Sequence, residues 1–437
     1  MRLVRATTLV LTVAVLGWTA GLAAQGLPAA APETVGMSQE RLGQIGVVLK
    51  REIEQGNLPG VVVMVARKGR LVYSEAIGFQ DGQAGKPMPK DAIFRIYSMT
   101  KPLVSVAAMM LVEEGKIQLT DPVSKFLPTL KQMQVSMPHA DPVLARMTYT
   151  LVSAEREMTV QDLLRHTAGL VYGHTTQNAP VRDAYVKARL HDPSGDYDLR
   201  DLSPSELVDA IARTPLAHQP GTVWEYSLAT DVLGRVVEAA SGQRLAEFLS
   251  DRLFKPLGMR DTGFWVPKDK LARLAQPLPI DRPTGKPNKL IDVSKVPNND
   301  LGGAGGVSTA ADYLRFSQML LNGGQLDGVR VVTRPTVALM ASDHLGAGIQ
   351  APLTPGEQLL GTPGYTFGLG FAVREGPGVA GVPGSTGEFM WGGYGGTYFW
   401  IDPKEELVAV YMSQAPSPIR AYYRKLFKQL VYAAIVD

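Results

Sequence analysis

The chain has 437 residues, 45% of them hydrophobic and 19% charged, which is a globular composition large enough for two subdomains or one elaborated domain. Its 44 basic and 41 acidic residues leave a net charge of +3 with no basic run, so a nucleic-acid surface is not expected. There is no cysteine, which excludes disulfides, thiol catalysis and lipid modification of an N-terminal cysteine.

Residues 1–24 read as an export signal. Arg2 and Arg5 precede a short apolar core over 9–18, and small residues follow at Ala20, Gly21, Ala23 and Ala24. The apolar run is shorter than the roughly 20 residues a helical span needs. A periplasmic or secreted protein, without stable membrane insertion once the signal is removed, is therefore expected. Next, Leu42, Ile45, Val48, Leu49 and Ile53 recur at helical spacing over 38–55, with Gly56 as the stop. Residues 61–66 and 71–77 are strand-like runs around Arg67-Lys68-Gly69-Arg70 and read as a hairpin.

The middle of the chain has a different rhythm. Helical stretches are expected over 102–115, 160–166, 203–213, 230–241 and 245–257, separated by loops rich in proline and glycine. Strand-like runs return at 368–373, 397–401 and 407–412, the last two joined by the polar turn at 402–406. An amphipathic helix over 419–435 closes the sequence, with Tyr422, Leu426, Leu430 and Ala433 on one face. Strands at both ends with helices between them predict an α/β protein of the α+β type. Residues 33–95 and 300–437 would form an antiparallel sheet flanked by helices, and 96–299 a mostly helical lobe inserted between them.

Several catalytic signatures are missing. There is no HExxH, no P-loop and no dinucleotide fingerprint. None of the 20 serines sits in a G-x-S-x-G elbow; the segments around Ser308 and Ser385 each lack one glycine, which disfavours an α/β-hydrolase. What is present is Ser98-Met99-Thr100-Lys101, where strand-like residues 93–97 meet the helix beginning at Pro102. Residues three apart share a helix face, so the lysine amine can reach the serine hydroxyl. The helix start adds a positive dipole end and backbone N–H groups suited to an oxyanion. Ser98 is the only serine with a lysine three residues later, but about one such pair is expected by chance among 20 serines.

The surrounding residues make the match specific. Phe94-Arg95-Ile96-Tyr97-Ser98-Met99-Thr100-Lys101 is followed by Leu111 to Val123, Leu163-Leu164-Arg165-His166-Thr167-Ala168-Gly169-Leu170, Pro220-Gly221-Thr222-Val223-Trp224-Glu225-Tyr226-Ser227, and Trp391-Gly392-Gly393. In this order the motifs resemble the serine β-lactamase superfamily, above all class C β-lactamases and family VIII carboxylesterases. The resemblance spans about residues 33–432, and it implies the β-lactamase/transpeptidase-like fold with a site between sheet and lobe.

The same resemblance implies a set of site residues. Ser98 would be the nucleophile, with Lys101 and Tyr226 as its proton-handling partners. A phenol beside an ammonium can lose its proton, take one from Ser98, and return it to the leaving alkoxide. The backbone N–H groups of Ser98 and Tyr394 would form the oxyanion hole. Trp391, Gly392 and Gly393 stand where the family carries Lys-Thr-Gly or His-x-Gly, and would line the substrate pocket. Leu228 replaces the asparagine of the family's Tyr-x-Asn. His166 reads as a packing residue, and Asp312 as an acid at a helix start. No metal and no organic cofactor is implied.

The expected activity is hydrolysis of small carboxylic esters of short to medium acyl chain. The alternatives are a β-lactamase or D-alanyl-D-alanine carboxypeptidase, an acyltransferase, and a non-catalytic peptidoglycan-binding protein of the same fold.

Overall fold

Every residue from 60 to 67 is buried, and a strand buried on both sides belongs inside a sheet covered on both faces. The computed structural model describes residues 26–143, 145–194 and 198–437; the expected export signal lies outside the described residues. The first elements are α1 (Gln39–Glu54), β1 (Gly60–Arg67), β2 (Arg70–Asp81), β3 (Lys86–Pro87), β4 (Phe94–Arg95) and α2 (Thr100–Glu113). The insert carries β5 (Gln134–Asp141), β6 (Arg146–Ser153), α3 (Val160–Leu164), α4 (Ala179–Lys187), α5 (Pro204–Ala212), α6 (Ala229–Ser241) and α7 (Leu245–Leu249). Then come β7 (Val307–Ser308), α8 (Ala310–Leu321), β8 (Gln325–Leu326), β9 (Val329–Arg330), α9 (Arg334–Met340) and α10 (Pro355–Leu360). The last are β10 (Tyr365–Phe367), β11 (Ala372–Arg374), β12 (Phe389–Gly392), β13 (Tyr398–Asp402), β14 (Leu407–Ser413) and α11 (Arg420–Ala433).

The two ends of the chain build one antiparallel sheet of eight strands, in the order β10-β11-β12-β13-β14-β1-β2-β3. The seam is the β1–β14 pair, in register from Val61 opposite Ser413 to Arg67 opposite Leu407. Side chains alternate across the sheet, which sends neighbouring residues to opposite layers. Trp400 and Tyr411 meet Phe427 of α11 on one face, whereas Phe399 meets Tyr313 of α8 on the other. Helix α1 packs beside α11, with Leu42, Ile45 and Leu49 fully buried; side chains of that size contribute roughly 1.5–3 kcal/mol each on burial.

The helical insert leaves the sheet at β4, which pairs with β7 where the chain returns. Its helix α2 packs against α6 and α7, so the lobe and the sheet meet along the start of α2.

Three local expectations change. Residues 368–373 are not one strand, because 368–371 turn between β10 and β11. A side chain at Gly368 would fall 2.1 Å from the Met340 carbonyl oxygen, and Gly370 has φ of +95° against Ser105. The stretch 245–257 keeps only α7 as α-helix and continues as a π-turn, Ser250–Phe254. The lobe also holds the β5–β6 ribbon, which beyond the buried Val135 and Ser136 is largely exposed and so shows little period to a hydrophobicity reading.

Asp312 lies in the first turn of α8, as expected, and is buried. Its carboxylate accepts hydrogen bonds from the Asp261 N–H at 2.8 Å and the Thr262 hydroxyl at 2.9 Å. Burial nevertheless pushes its pKa up to about 6 from 3.8. The folded state therefore holds the proton more tightly than the unfolded chain, and stability falls as pH rises from about 4 through about 6. Asp312→Asn is expected to stabilise the protein by roughly 2–3 kcal/mol at pH 7.5 and by clearly less at pH 4.5. Urea midpoints of both proteins at the two pH values check this; an equal effect at both would remove the titration as its cause.

Candidate active site

Ser98 is held by a short turn rather than by a helix proper. It lies in the 3-10 segment Tyr97–Met99 between β4 and α2, and it is partly exposed. Tyr97 before it takes φ of +43°, a left-handed conformation that costs of order 1–3 kcal/mol for a bulky residue. Thr100 locks that turn: its hydroxyl donates to the Tyr97 carbonyl at 2.6 Å and accepts from the Gly306 N–H at 2.9 Å. Tyr313 of α8 donates to the Met99 carbonyl at 2.8 Å. Both halves of the chain thus grip the turn.

Lys101, the second residue of α2, is 1% exposed. A buried ammonium needs acceptors, because an unpaired charge in the interior costs several kcal/mol. Its Nζ donates to the Tyr172 hydroxyl at 2.8 Å and to the Gly303 carbonyl at 2.8 Å. The Gly303 N–H in turn donates to Asp231 of α6 at 2.8 Å. The lysine also lies 4.6 Å from the centre of the Tyr226 ring, in cation–π range.

Tyr226 is half-buried and framed by aromatic rings. Trp391 stands 5.1 Å away between centroids, Tyr172 5.4 Å, and His166 5.0 Å. The Trp391 indole N–H points at the Tyr226 hydroxyl at 3.4 Å. His166 is buried, and burial together with the Lys101 charge holds its pKa well below the ordinary value. It is a neutral ring whose Nδ1 lies 3.1 Å from the Ser227 hydroxyl, a packing residue as the sequence suggested.

The glycine segment closes the site from β12. A side chain at Gly393 would fall 2.1 Å from the Ile96 carbonyl oxygen, and one at Gly395 would lie 3.1 Å from both the Arg95 carbonyl and the Tyr97 ring. Only glycines allow this loop to lie directly on the backbone before Ser98. Tyr394, between them, has its side chain half exposed, with the Arg420 guanidinium 5.1 Å above its ring.

The fold thus gathers Ser98, Lys101, Tyr226, Trp391, Gly392, Gly393 and Tyr394 around one junction. Leu228 behaves differently: at the N-cap of α6 it is fully buried in the core, so it presents no lining surface. Trp391 is almost as buried, at 1% exposed, and it orients Tyr226 rather than walling an open pocket. Two partners of Lys101 went unnoticed in the sequence, Tyr172 and the Gly303 carbonyl. Tyr172 stands two residues beyond the 163–170 motif, the only local signal that pointed to it. The hydroxyl bonded to Lys101 is that of Tyr172, while Tyr226 offers the lysine its ring.

An antiparallel sheet made from both chain ends, with Ser-x-x-Lys opening a helical insert, defines a protein of the serine β-lactamase-like superfamily. The profile of the family described as Beta-lactamase matches residues 46–432, and the chain belongs to that family. It is 37% identical to Protein Rv1367c of Mycobacterium tuberculosis over 83% of this chain and 88% of that one. With Esterase EstB of Burkholderia gladioli it shares 34% identity over 82% of this chain and 86% of the other. Among solved structures it resembles EstCE1, described as a hydrolase with promiscuous acyltransferase activity. That likeness has a TM-score of 0.70 and 26% identity, and covers 90% of this chain and 98% of that one. At this coarse level the chain is a serine hydrolase.

Tyr172→Phe keeps the ring and removes one acceptor from the buried ammonium. It is expected to lower stability by about 1.5–3 kcal/mol, the worth of a hydrogen bond to a charged group. The shift in urea midpoint measures it; no shift would mean that the Tyr172 hydroxyl does not hold a charged Lys101.

Proposed function

We propose that the protein is a carboxylesterase acting on esters of short to medium acyl chain through an acyl-enzyme on Ser98. The observation that carries this reading is the burial of Lys101 one helical turn from Ser98, between two tyrosines. In the proposed sequence of steps, Tyr226, its phenol deprotonated beside the Lys101 ammonium, takes the Ser98 proton as the serine oxygen attacks the ester carbonyl. The N–H groups of Ser98 and Tyr394 hold the oxyanion, the kind of contact whose loss typically costs about 10²–10³ in rate. The alcohol leaves with the proton, and water then releases the acid and restores Ser98. No step calls for a metal or an organic cofactor. The contact between Lys101 and the Tyr172 hydroxyl favours a second version in which Tyr172 shares the proton path.

Two departures from the β-lactamase pattern support esters over β-lactams. Leu228, buried and apolar, cannot offer the amide of Tyr-x-Asn. Trp391 replaces the cationic lysine that helps hold a substrate carboxylate. The missing charge-assisted contact at Trp391 is worth roughly 1.5–3 kcal/mol, about tenfold to a hundredfold in specificity, and the missing neutral amide bond at Leu228 about 0.5–1.5 kcal/mol. Esterase EstB, as its name states, belongs to the same substrate class. The description of EstCE1 makes transfer to an alcohol the alternative fate of the acyl group. We also propose, from residues 1–24, that the protein acts outside the cytoplasm.

Ser98→Ala is expected to cut kcat on p-nitrophenyl butyrate by at least about three orders of magnitude, with an unchanged thermal midpoint and no labelling by a fluorophosphonate. Retained turnover would transfer the role to another residue. Lys101→Ala and Tyr226→Phe should each cost a large factor, and the double variant little more than either, because they serve one proton path. Additive losses would separate them, and a loss in Tyr172→Phe equal to that in Tyr226→Phe would favour the shared path. On unmodified enzyme, kcat/KM for p-nitrophenyl butyrate should exceed that for benzylpenicillin by about a hundredfold or more. Equal efficiencies would make the β-lactamase reading the better one, and butyryl transfer to an added alcohol in preference to water would favour the acyltransferase.

A further inference from the structure

Seven described residues other than glycine have positive φ. Five of them, Lys68, Ala145, Arg189, Asp327 and Glu406, are exposed, where a turn explains the conformation. The other two, Tyr97 and His166, are buried, and both touch the site. Strain retained in a buried position needs a compensating contact, and such positions cluster at functional sites. For His166 the contacts with Tyr226 and Ser227 account for it. Tyr97 is the less expected case. A glycine would adopt φ of +43° with far less strain, so whatever keeps a tyrosine there lies in its side chain.

That side chain is held from two directions. Its hydroxyl accepts the Ile291 N–H at 3.0 Å, and Arg95, two residues earlier, donates to the Ile291 carbonyl at 2.6 Å. The N–H and C=O of one residue in the long irregular stretch 276–299 are thereby held by the two residues that flank Ile96. The ring belongs to a small satellite core with Ile93, Val266, Val293 and Val307. Burial pushes the phenol pKa up to about 12, so the group is neutral and takes no part in proton traffic near neutral pH. The far edge of the ring meets the oxyanion loop. It stands edge-on to Tyr394, 5.4 Å between centroids at 68°, and a side chain at Gly395 would come within 3.1 Å of it.

We propose that Tyr97 is a positioning residue: its ring is a spacer that sets the distance between the backbone N–H of Ser98 and that of Tyr394. The inference rests on the reading of these two groups as the oxyanion hole. The ring is covalently one residue from the first donor and packs on the ring of the residue that carries the second. The packing of the satellite core keeps it in place, and Arg95 holds Ile291 whether or not the Tyr97 hydroxyl is present. The ring itself, not the hydroxyl, therefore carries the function. A spacer between two oxyanion donors acts on the transition state, where charge develops, and leaves ground-state binding of the ester nearly untouched.

The test uses Tyr97→Gly and Tyr97→Phe in the full chain, with p-nitrophenyl butyrate, and kcat expressed per serine titrated with a fluorophosphonate. Tyr97→Gly is expected to lose about tenfold to a hundredfold in kcat with KM within about threefold. Affinity for an alkyl boronic acid, whose serine adduct is tetrahedral, should fall by the same factor. Tyr97→Phe keeps the ring and should stay within about threefold of the parent in kcat. A merely structural role would lower the titratable fraction and leave kcat per titrated site unchanged, which would overturn the proposal. A loss confined to KM would overturn it as well.

Should Tyr97→Gly fail to fold, Tyr394→Ala removes the half-exposed ring from the other side of the contact while keeping the Tyr394 N–H. It should then lower kcat in the same selective way, and an unchanged kcat there would refute the spacer. Ser98→Ala separates the two levels of the argument. An inactive Ser98→Ala with a fully active Tyr97→Gly refutes the spacer alone, whereas an active Ser98→Ala removes the oxyanion hole and the spacer with it.

Discussion

The site depends on the burial of one ammonium group. Lys101 is 1% exposed, and a charge that deep must have its protons accepted by the protein. The two acceptors come from separate parts of the chain, the Tyr172 hydroxyl in the lobe and the Gly303 carbonyl on the return to the sheet. Satisfying Lys101 therefore requires the lobe, α2 and the 300–307 segment to be docked together. The same docking brings Tyr226 and its ring neighbours against the lysine. An apolar residue at position 101 would relieve that constraint and leave the three segments with only non-directional packing to align them.

The second constraint is steric and comes from glycine. The loop after β12 lies on the backbone of β4 and the turn that follows, close enough that side chains at Gly393 or Gly395 would collide with it. The contact joins the C-terminal half of the sheet to the residue that starts the insert, and so it fixes Tyr394 relative to Ser98. Tyr97 fills the remaining gap at the cost of a left-handed backbone. Close approach on one side and a bulky wedge on the other are opposing devices, and together they leave the loop little freedom.

Beneath the site the sheet is tied to α11 by a buried ion pair. Glu388, before β12, accepts from Lys428 at 2.7 Å and from the Tyr365 hydroxyl at 2.6 Å, with both members of the pair at 0% exposure. Burial lowers the Lys428 pKa, while Glu388 and Asp402 oppose that shift, and Glu388 is also paired with Arg374 at 3.4 Å. Such a pair stabilises little in net terms but fixes which helix face meets which strand. Tyr398, Trp400 and Arg424 lie in the same layer, so the glycine loop that follows β12 is anchored from below.

The sequence by itself determined several of the local elements and the pairing of Ser98 with Lys101 at the start of α2. Helical spacing placed α1 within a residue at each end, since Leu42, Ile45 and Leu49 bury one face, and strand-like apolar runs placed β1 and β14 as closely and β2 four residues short of its end. The serine–lysine pair was legible because residues three apart on a helix are neighbours wherever the helix lies. The β5–β6 ribbon was not legible, since only Val135 and Ser136 at its start are buried and the rest carries no hydrophobic period. The turn at 368–371 was hidden because its glycines respond to Met340 and Ser105, residues distant in sequence.

Tertiary structure alone decided the partners of Lys101, 71 and 202 residues away, the burial of Leu228 and Trp391, and the strained turn that aims Ser98. The physical reason is range. Periodicity and capping report interactions across a few residues, whereas acceptors for a buried charge and room for a close backbone approach come from whichever segments the fold brings near.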